Sequence, residues 1–355
     1  MLCCVDCFLD PEIRGIIVAG NQTGQCNVCG SKNVFIYDLI TDKNNIRELF
    51  EDLLDVYDSD NFLPDGYPDE QLMSLTNELC STWMIFPDEA IAENILRILC
   101  KEKIEDAPEL LDGDVGIAMF CDMSYMQSSA ILLNHTWDDF TESLKTQYRF
   151  HTKYINEDVL KKFCLPKPYQ KGQIFHRARI SNNNTFDCSM MGAPPSNKAS
   201  AGRANPDGIS CLYLASDVET ALNEVRASVH DIVSVGQFEA LSDFDVVDLK
   251  VIDRLSPFIE IDKTEHAINK PHLIRIANEI AKPLRRNDSP LDYLPTQYIS
   301  DYIKSEGFNG IEYKSTMTDC GYNIAVFNQE LFHCVAVDRY RINGVKYGHE
   351  RIVKD

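Results

Sequence analysis

The spacing of apolar residues from about residue 170 onward predicts both strands and helices. Seven short apolar runs are typical of strands, at residues 173–180, 211–216, 232–238, 245–252, 309–315, 323–328 and 333–342. Three segments with helical spacing lie among them, at residues 218–229, 271–284 and 296–307. Because several strands follow one another without a helix between them, the pattern predicts an α+β fold rather than a doubly wound parallel sheet.

The first half of the chain has a different pattern, and residues 44–165 are predicted to be mostly helical. Segments 45–57 and 88–100 place apolar residues at helical spacing. A turn-rich loop at 61–70 separates them, and a short strand at 33–39 precedes them. These features predict a helical module in front of the α+β part.

Charge is distributed unevenly between the two halves. The chain has a net charge of −21, and residues 1–150 hold 28 acidic and 9 basic side chains. Such a surface repels phosphate backbones, so we expect no nucleic-acid partner for this half. No apolar run approaches the ~20 residues that would cross a bilayer, and the N-terminal residues do not resemble a signal peptide. We therefore expect a cytoplasmic protein without a membrane partner.

Thirteen cysteines without a secretion signal indicate reduced thiols or metal ligands rather than a disulfide framework. Four of them form two CxxC pairs, Cys4 with Cys7 and Cys26 with Cys29. The pairs suit a tetrahedral zinc ion, because each tight turn supplies two sulfurs. We identify no histidine, carboxylate or open position beside them, so we expect a structural site. The alternative is a set of ordinary thiols, and Cys3 could compete with Cys4 as a ligand.

The helix predicted from residue 218 carries two glutamates whose roles differ. Ser216 lies three residues before Glu219, which predicts a capping box at the start of the helix. The apolar stripe consists of Val218, Ala221, Leu222 and Val225. Glu224 lies on the flank of this stripe, a position that by itself is typical of a solvated helix glutamate.

The stretch GRANPDGISCLYLASDVETALNEVR, residues 202–226, resembles the central block of the RES domain, a family named for its arginine, glutamate and serine. That block has a Gly-Arg before an Asn-Pro turn, a Leu-Tyr strand and a glutamate late in the next helix. Upstream, IFHRARI resembles the family's first arginine strand, and residues 296–328 resemble its last helix, the strand that bears its serine and the Asn-rich strand that closes its fold. The resemblance covers residues 174–328 in order.

The acidic front part is similar to the HEPN-like extension found on a subset of RES proteins. RNases of that kind carry an arginine followed four to six residues later by a histidine. Here Arg97 has no histidine near it, and Arg149 is two residues from His151, so we expect no RNase activity. The expected domains are a zinc-ribbon-like element at 1–40, an acidic helical module at 41–168 and a RES domain at 169–355.

The resemblance implies an ADP-ribosyltransferase-like fold and, for most members, a toxin that acts on NAD. Carried over by position, the family's site residues are Arg177, Arg203, Tyr213, Glu224 and Ser315, with Arg179 as a second candidate for the first arginine. Two positions depart from the family pattern. Ala204 stands where a tryptophan often follows the Gly-Arg, and Ala178 where many relatives have an aromatic or branched residue, which removes part of the expected stacking surface.

The chemistry of NAD cleavage suits these residue types. A planar guanidinium can hold a pyrophosphate with two parallel hydrogen bonds, the role implied for Arg177 and Arg203. Breaking the nicotinamide–ribose bond builds positive charge on the sugar, which an ionised Glu224 would stabilise. Tyr213 would offer a face to the nicotinamide ring, and Ser315 a hydrogen bond that holds it.

We therefore expect a toxin or defence effector, with anti-phage defence as one setting, that depletes NAD as a glycohydrolase or phosphorylase. One alternative is a protein ADP-ribosyltransferase on the same scaffold, which differs only in the acceptor. A second is a regulatory module that binds a nucleotide without turnover. An antitoxin or regulatory protein and a second copy of the chain are compatible partners. The sequence leaves the acceptor, the partner and the trigger open.

Overall fold

The computed structural model describes residues 1–282, 289–318 and 320–345. The strands are β1 Leu2–Cys4, β2 Thr23–Gln25, β3 Lys32–Asp38, β4 Asp58–Ser59, β5 Met73–Ser74, β6 Asp114–Gly116, β7 Pro166–Tyr169, β8 Ile174–Ile180, β9 Leu212–Ala215, β10 Ile232–Ala240, β11 Phe244–Asp248, β12 Gly310–Lys314, β13 Tyr322–Val326 and β14 Phe332–Arg341. The α-helices are α1 Pro11–Ala19, α2 Ile46–Leu54, α3 Leu75–Asn77, α4 Glu89–Leu99, α5 Lys101–Asp106, α6 Glu109–Asp112, α7 Met123–Ser129, α8 Trp137–Thr146, α9 Glu157–Phe163, α10 Val218–Glu224, α11 Lys263–Ala281 and α12 Leu294–Ser305.

Contacts divide the chain into two compact units. The first consists of Met1–Thr136, Tyr154–Lys162 and Asp253–Ile274, and the second of Trp137–Lys153, Phe163–Ile252 and the chain from Arg275 onward. The first unit thus takes one segment from the part of the chain that follows residue 169. The three-domain division expected from the sequence stays a prediction, and residues 346–355 of its last domain lie outside the described residues.

The first unit contains the helices expected at 45–57 and 88–100, which are α2 and α4. Its two small sheets have the strand orders β1-β3-β2 and β4-β6-β5. The second of these sheets lies in the stretch that was expected to be mostly helical. Its strands are only two or three residues long, too short to leave a periodic signal in the sequence. Within the described residues, no helix combines the length and apolarity needed to span a membrane.

Helix α11 starts at Lys263, well before the start predicted at Pro271. Proline usually marks the first turn of a helix, whereas here it lies inside one. The residues that precede it include Asn269 and Lys270, which are polar and buried. Asn269 Oδ1 accepts a hydrogen bond from the Ile131 N–H at 2.6 Å. Such polar residues interrupt the apolar pattern that normally marks a buried helix face. The sequence pattern therefore did not predict the first turns of α11. The end of the predicted segment, 283–284, lies outside the described residues.

The second unit is built on an eight-stranded sheet with the order β14-β10-β8-β9-β13-β12-β11-β7. Its neighbouring strands are antiparallel except for β11 and β12, which run parallel. All seven strands predicted after residue 170 are present as β8–β14, and the mixed helix-and-sheet architecture is confirmed.

Helix α10 packs its apolar stripe on the sheet. Ala221 is buried against Ala178, Ala215 and Val235, and Val218, Leu222 and Val225 pack around the same cluster, which confirms the predicted stripe. The helix ends at Glu224, earlier than predicted, and Arg226 beyond it has a φ of 49°. This left-handed conformation ends the helix.

Candidate functional site

A cleft of about 490 Å³ lies in the second unit. Strand β8 pairs with β10 along its whole length, but its ladder with β9 contains the single pair His176–Ala215 within the described residues. Arg177, Arg203, Tyr213 and Glu224 all line the cleft. Four of the residues named from the sequence are therefore brought together, although they are spread over 48 positions of the chain.

Glu224 is held by two donors at the last position of α10. Ser315 Oγ donates to its Oε1 at 2.8 Å, and Asn323 Nδ2 donates to the same oxygen at 2.7 Å. Oε2 accepts no hydrogen bond from any other part of the chain that the structure describes. Glu224 is thus an anchored carboxylate in the cleft wall rather than a solvated helix residue.

The predicted capping box at the start of α10 is wrong. Asp217, not Ser216, is the N-cap, and its Oδ1 accepts from the Thr220 N–H at 2.8 Å. Ser216 Oγ donates to Asp217 Oδ2 at 2.6 Å. Glu219 is exposed in the first turn. The sequence favoured Ser216 because its spacing to Glu219 fits a capping box. Asp217 is an equally good capping residue, and only the backbone geometry distinguishes the two.

Arg177 presents a buried guanidinium without full hydrogen bonding. Its Nη1 atom is buried and has no hydrogen-bond partner among the described residues. Burial, with the nearby charge of Arg179, lowers the pKa of Arg177 to about 10. A buried cation that lacks a partner is costly, so this atom favours an anion in the cleft.

The turn that carries Arg203 is held by side chains of α12 that donate hydrogen bonds to its backbone carbonyl groups. Gln297 Nε2 donates to the Gly202 carbonyl at 2.8 Å, and Thr296 Oγ1 donates to the Arg203 carbonyl at 2.9 Å. A β-carbon on Gly202 would lie 2.5 Å from the Tyr213 hydroxyl oxygen. Only glycine fits this position, which explains the Gly-Arg order.

The Arg203 side chain lies over a second tyrosine, with its Cζ 5.4 Å from the centre of the Tyr313 ring. Its Nη1 donates to the Ile280 carbonyl at 3.3 Å. Tyr313 also lines the cleft. The guanidinium is therefore oriented by an aromatic ring on one face and by a hydrogen bond from one of its nitrogens.

Tyr213 combines a cleft-lining ring with a hydroxyl that is used elsewhere. The hydroxyl donates to Asn205 Oδ1 at 2.6 Å and accepts from the Ala204 N–H at 3.1 Å. Burial raises the pKa of Tyr213 well above its usual value. Of this side chain, the ring is the part left to contact a ligand in the cleft.

Two further predicted residues have contacts that differ from their expected roles. Arg179 lies 4.8 Å over the Phe186 ring and donates to the Met190 carbonyl, and it is not among the residues that line the cleft. Ser315 is 1% exposed, and its proton is directed to Glu224 rather than to a ring in the cleft.

Sequence reasoning missed Asn323 and Tyr313, which both contact the predicted site residues. They are paired across β12 and β13, Tyr313 opposite Asn323, so both side chains point to the same face of the sheet. A polar residue, Asn323, within an apolar strand was the signal that could have indicated this contact, because a buried polar side chain needs a hydrogen-bond partner.

A family model described as "RES domain" matches residues 174–343. Residues 174–343 are a RES domain. Among solved structures, the chain is similar to the M. tuberculosis MbcT–MbcA toxin–antitoxin complex, with 11% identity, 49% of this chain and 87% of that chain covered, and a TM-score of 0.30. A likeness at that score adds no argument about this RES domain. No curated protein matches the chain.

Outside the RES domain, four thiols form a cluster in the first unit. The sulfurs of Cys4, Cys7, Cys26 and Cys29 all lie within 4.8 Å of one another and could hold a metal ion. The Val28 and Cys29 N–H groups each point to Cys26 Sγ at 3.3 Å, as in turns that stabilise thiolates. Cys3 does not belong to this cluster, because successive side chains of a strand point to opposite faces.

Proposed function

We propose that the RES domain cleaves NAD at the bond between nicotinamide and ribose. The observation that carries this proposal is the cleft itself, which combines the guanidinium Nη1 of Arg177, unpartnered among the described residues, with the anchored carboxylate of Glu224. A dinucleotide with a pyrophosphate and a sugar that becomes cationic needs both charges at one place. An ADP-ribosyltransferase-like architecture remains part of this proposal.

In this mechanism Arg177 and Arg203 hold the pyrophosphate, and the Tyr213 ring faces the nicotinamide. The bond from C1′ to the ring nitrogen breaks, and its electron pair passes to the nitrogen, so nicotinamide leaves as a neutral base. Glu224 stabilises the positive charge that builds on the ribose. A water or phosphate oxygen then bonds to C1′, and an attacking water gives its proton to the solution.

The biological setting follows as part of the same proposal. An enzyme that consumes NAD without a product the cell needs would act as a toxin or defence effector, and it would require a neutralising or regulatory partner. A protein nucleophile in place of water would make the same cleft a protein ADP-ribosyltransferase.

Mass analysis of the products tests the reaction. The pure protein incubated with NAD is expected to release nicotinamide, together with ADP-ribose in water or its 1-phosphate when phosphate is added. ADP-ribose attached to protein would identify the transferase instead. Binding of NAD without release of nicotinamide would contradict catalysis and leave a nucleotide-binding module.

We also propose that the thiol cluster holds a structural zinc ion. The distances from Cys4 Sγ to Cys7 Sγ and from Cys7 Sγ to Cys26 Sγ are both 3.7 Å, and that from Cys4 Sγ to Cys29 Sγ is 3.4 Å. A tetrahedral ion with bonds of about 2.3 Å places its sulfurs roughly 3.8 Å apart. Four thiolates close the coordination shell, so the ion would stabilise the first unit and take no part in NAD cleavage.

Elemental analysis is expected to find about one zinc per chain. The Cys26→Ser variant should lose the metal and unfold its unit at a lower temperature, because one ligand of a closed site is gone. Cys121→Ser provides the control, since Cys121 is exposed and lies outside the cluster. A folded, metal-free preparation would contradict the zinc proposal. Release of nicotinamide by Cys26→Ser should remain close to that of the native chain.

A further inference from the structure

Both hydrogen bonds to Glu224 end on one of its two oxygens. Ser315 Oγ lies 2.8 Å and Asn323 Nδ2 2.7 Å from Oε1. A carboxylate held at one oxygen by two donors cannot rotate about its terminal bond without losing both. Oε2 is therefore the oxygen that Glu224 presents to the cleft.

The two donors are themselves fixed. Asn323 is 4% exposed and lies in the middle of the sheet, where it pairs with Tyr313 on one side and Ala215 on the other. Ser315 Oγ accepts from the Met317 N–H at 3.2 Å, which directs its own proton toward Glu224. The amide comes from a strand with neighbours on both sides, so its position varies less than that of the glutamate on the last turn of α10.

We propose that Asn323 is a positioning residue, which with Ser315 fixes the Glu224 carboxylate so that Oε2 faces the ribose. The proposal rests on the proposed NAD cleavage. Asn323 touches no reacting atom in this arrangement. Without the Asn323 amide, the charge of Glu224 should remain in the cleft, but its carboxylate group would be free to rotate. A carboxylate that is turned away from the ribose stabilises the oxocarbenium-like state poorly.

The test compares the steady-state kinetics of NAD cleavage in the full chain and in Asn323→Ala. The variant lacks the amide donor, and kcat should fall roughly ten- to hundredfold, the usual effect of losing a hydrogen bond to a charged group. KM should change less than about threefold, because Arg177 and Arg203 still bind the pyrophosphate. A merely structural role would instead lower the unfolding temperature with kcat per folded molecule unchanged.

Asn309→Ala is the matched control. Asn309 also serves the sheet of the RES domain, where its Oδ1 accepts from the Asp245 N–H at 3.1 Å, but it does not line the cleft. This variant should lose stability and keep its kcat. If native protein cleaves NAD and Asn323→Ala retains its kcat within threefold, the positioning role is overturned and the proposed function stands. If native protein does not cleave NAD, the proposed function and the catalytic role of Asn323 both fall.

Discussion

Replacing Glu224 with glutamine is expected to slow NAD cleavage by a hundredfold or more, whereas Glu219→Gln should cleave at the native rate. The two glutamates lie on the same short helix, but only Glu224 lines the cleft. An anion that stabilises growing positive charge contributes on the order of 3–4 kcal/mol to the transition state, which corresponds to this loss of rate. Initial rates of nicotinamide release measure both variants.

Folding should survive the Glu224→Gln change for a reason that only the structure supplies. Glutamine keeps an Oε1 that can accept from both Ser315 and Asn323, so the contacts of α10 persist while the charge is lost. Glu219→Gln should be silent because Asp217 caps the helix. In cells, native protein and Glu219→Gln should arrest growth as NAD falls, and Glu224→Gln should be harmless at equal expression. Full activity in both variants would refute the role of Glu224.

Replacing Glu312 with leucine is expected to lower the free energy of unfolding of the second unit by about 3–5 kcal/mol, the usual cost of breaking a buried ion pair. Glu312 is 0% exposed. Its Oε1 accepts from Lys167 Nζ at 2.9 Å and also from Lys250 Nζ, and its Oε2 accepts from the Tyr169 hydroxyl at 2.5 Å. Leucine would leave both ammonium groups with Asp248 as their remaining carboxylate.

The pKa of Lys167 indicates the strength of this network. Burial alone lowers the pKa of Lys167, but the hydrogen bond and charge of Glu312 outweigh it and raise the pKa above its usual value. Urea unfolding measures the loss of stability, with Glu239→Leu as the control. The Glu239 side chain is 37% exposed and lies 4.0 Å from His333, so its removal should change stability by less than about 1 kcal/mol. Equal losses in the two variants would contradict a stabilising role for the network.

The site could be predicted from the sequence only as a set of residue types. Arg177, Arg203, Tyr213 and Glu224 were named by resemblance, and the structure places all four on one cleft. The partners of Glu224 were not predicted, because Asn323 lies on β13 and Ser315 directly after β12, 99 and 91 positions along the chain. Their contact depends on how the strands pair, and no local pattern encodes that pairing.

Local patterns determined the main strands of the second unit, the helices α2 and α4 of the first unit and the apolar stripe of α10. Short apolar runs were sufficient to locate β8–β14, because strands buried in a sheet are built from such runs. The apolar stripe of α10 and the spacing of the four clustered thiols were likewise properties of short segments. Each of these features depends on residues close together in sequence, where backbone geometry alone sets which side chains share a face.

Only the tertiary structure decided the strand order, the start of α11 and the cap of α10. Asn269 is stable inside the first unit because a group far away in the sequence, the Ile131 N–H, donates a hydrogen bond to it. From the sequence pattern alone, a polar residue at this position is expected to be exposed. Asp217 rather than Ser216 is the cap because Asp217 has the extended backbone, with φ −153° and ψ 169°, from which its carboxylate accepts from the Thr220 N–H. The cleft lies beside β8 and β9, which share a single ladder pair among the described residues, and this arrangement depends on long-range strand pairing rather than on any single residue.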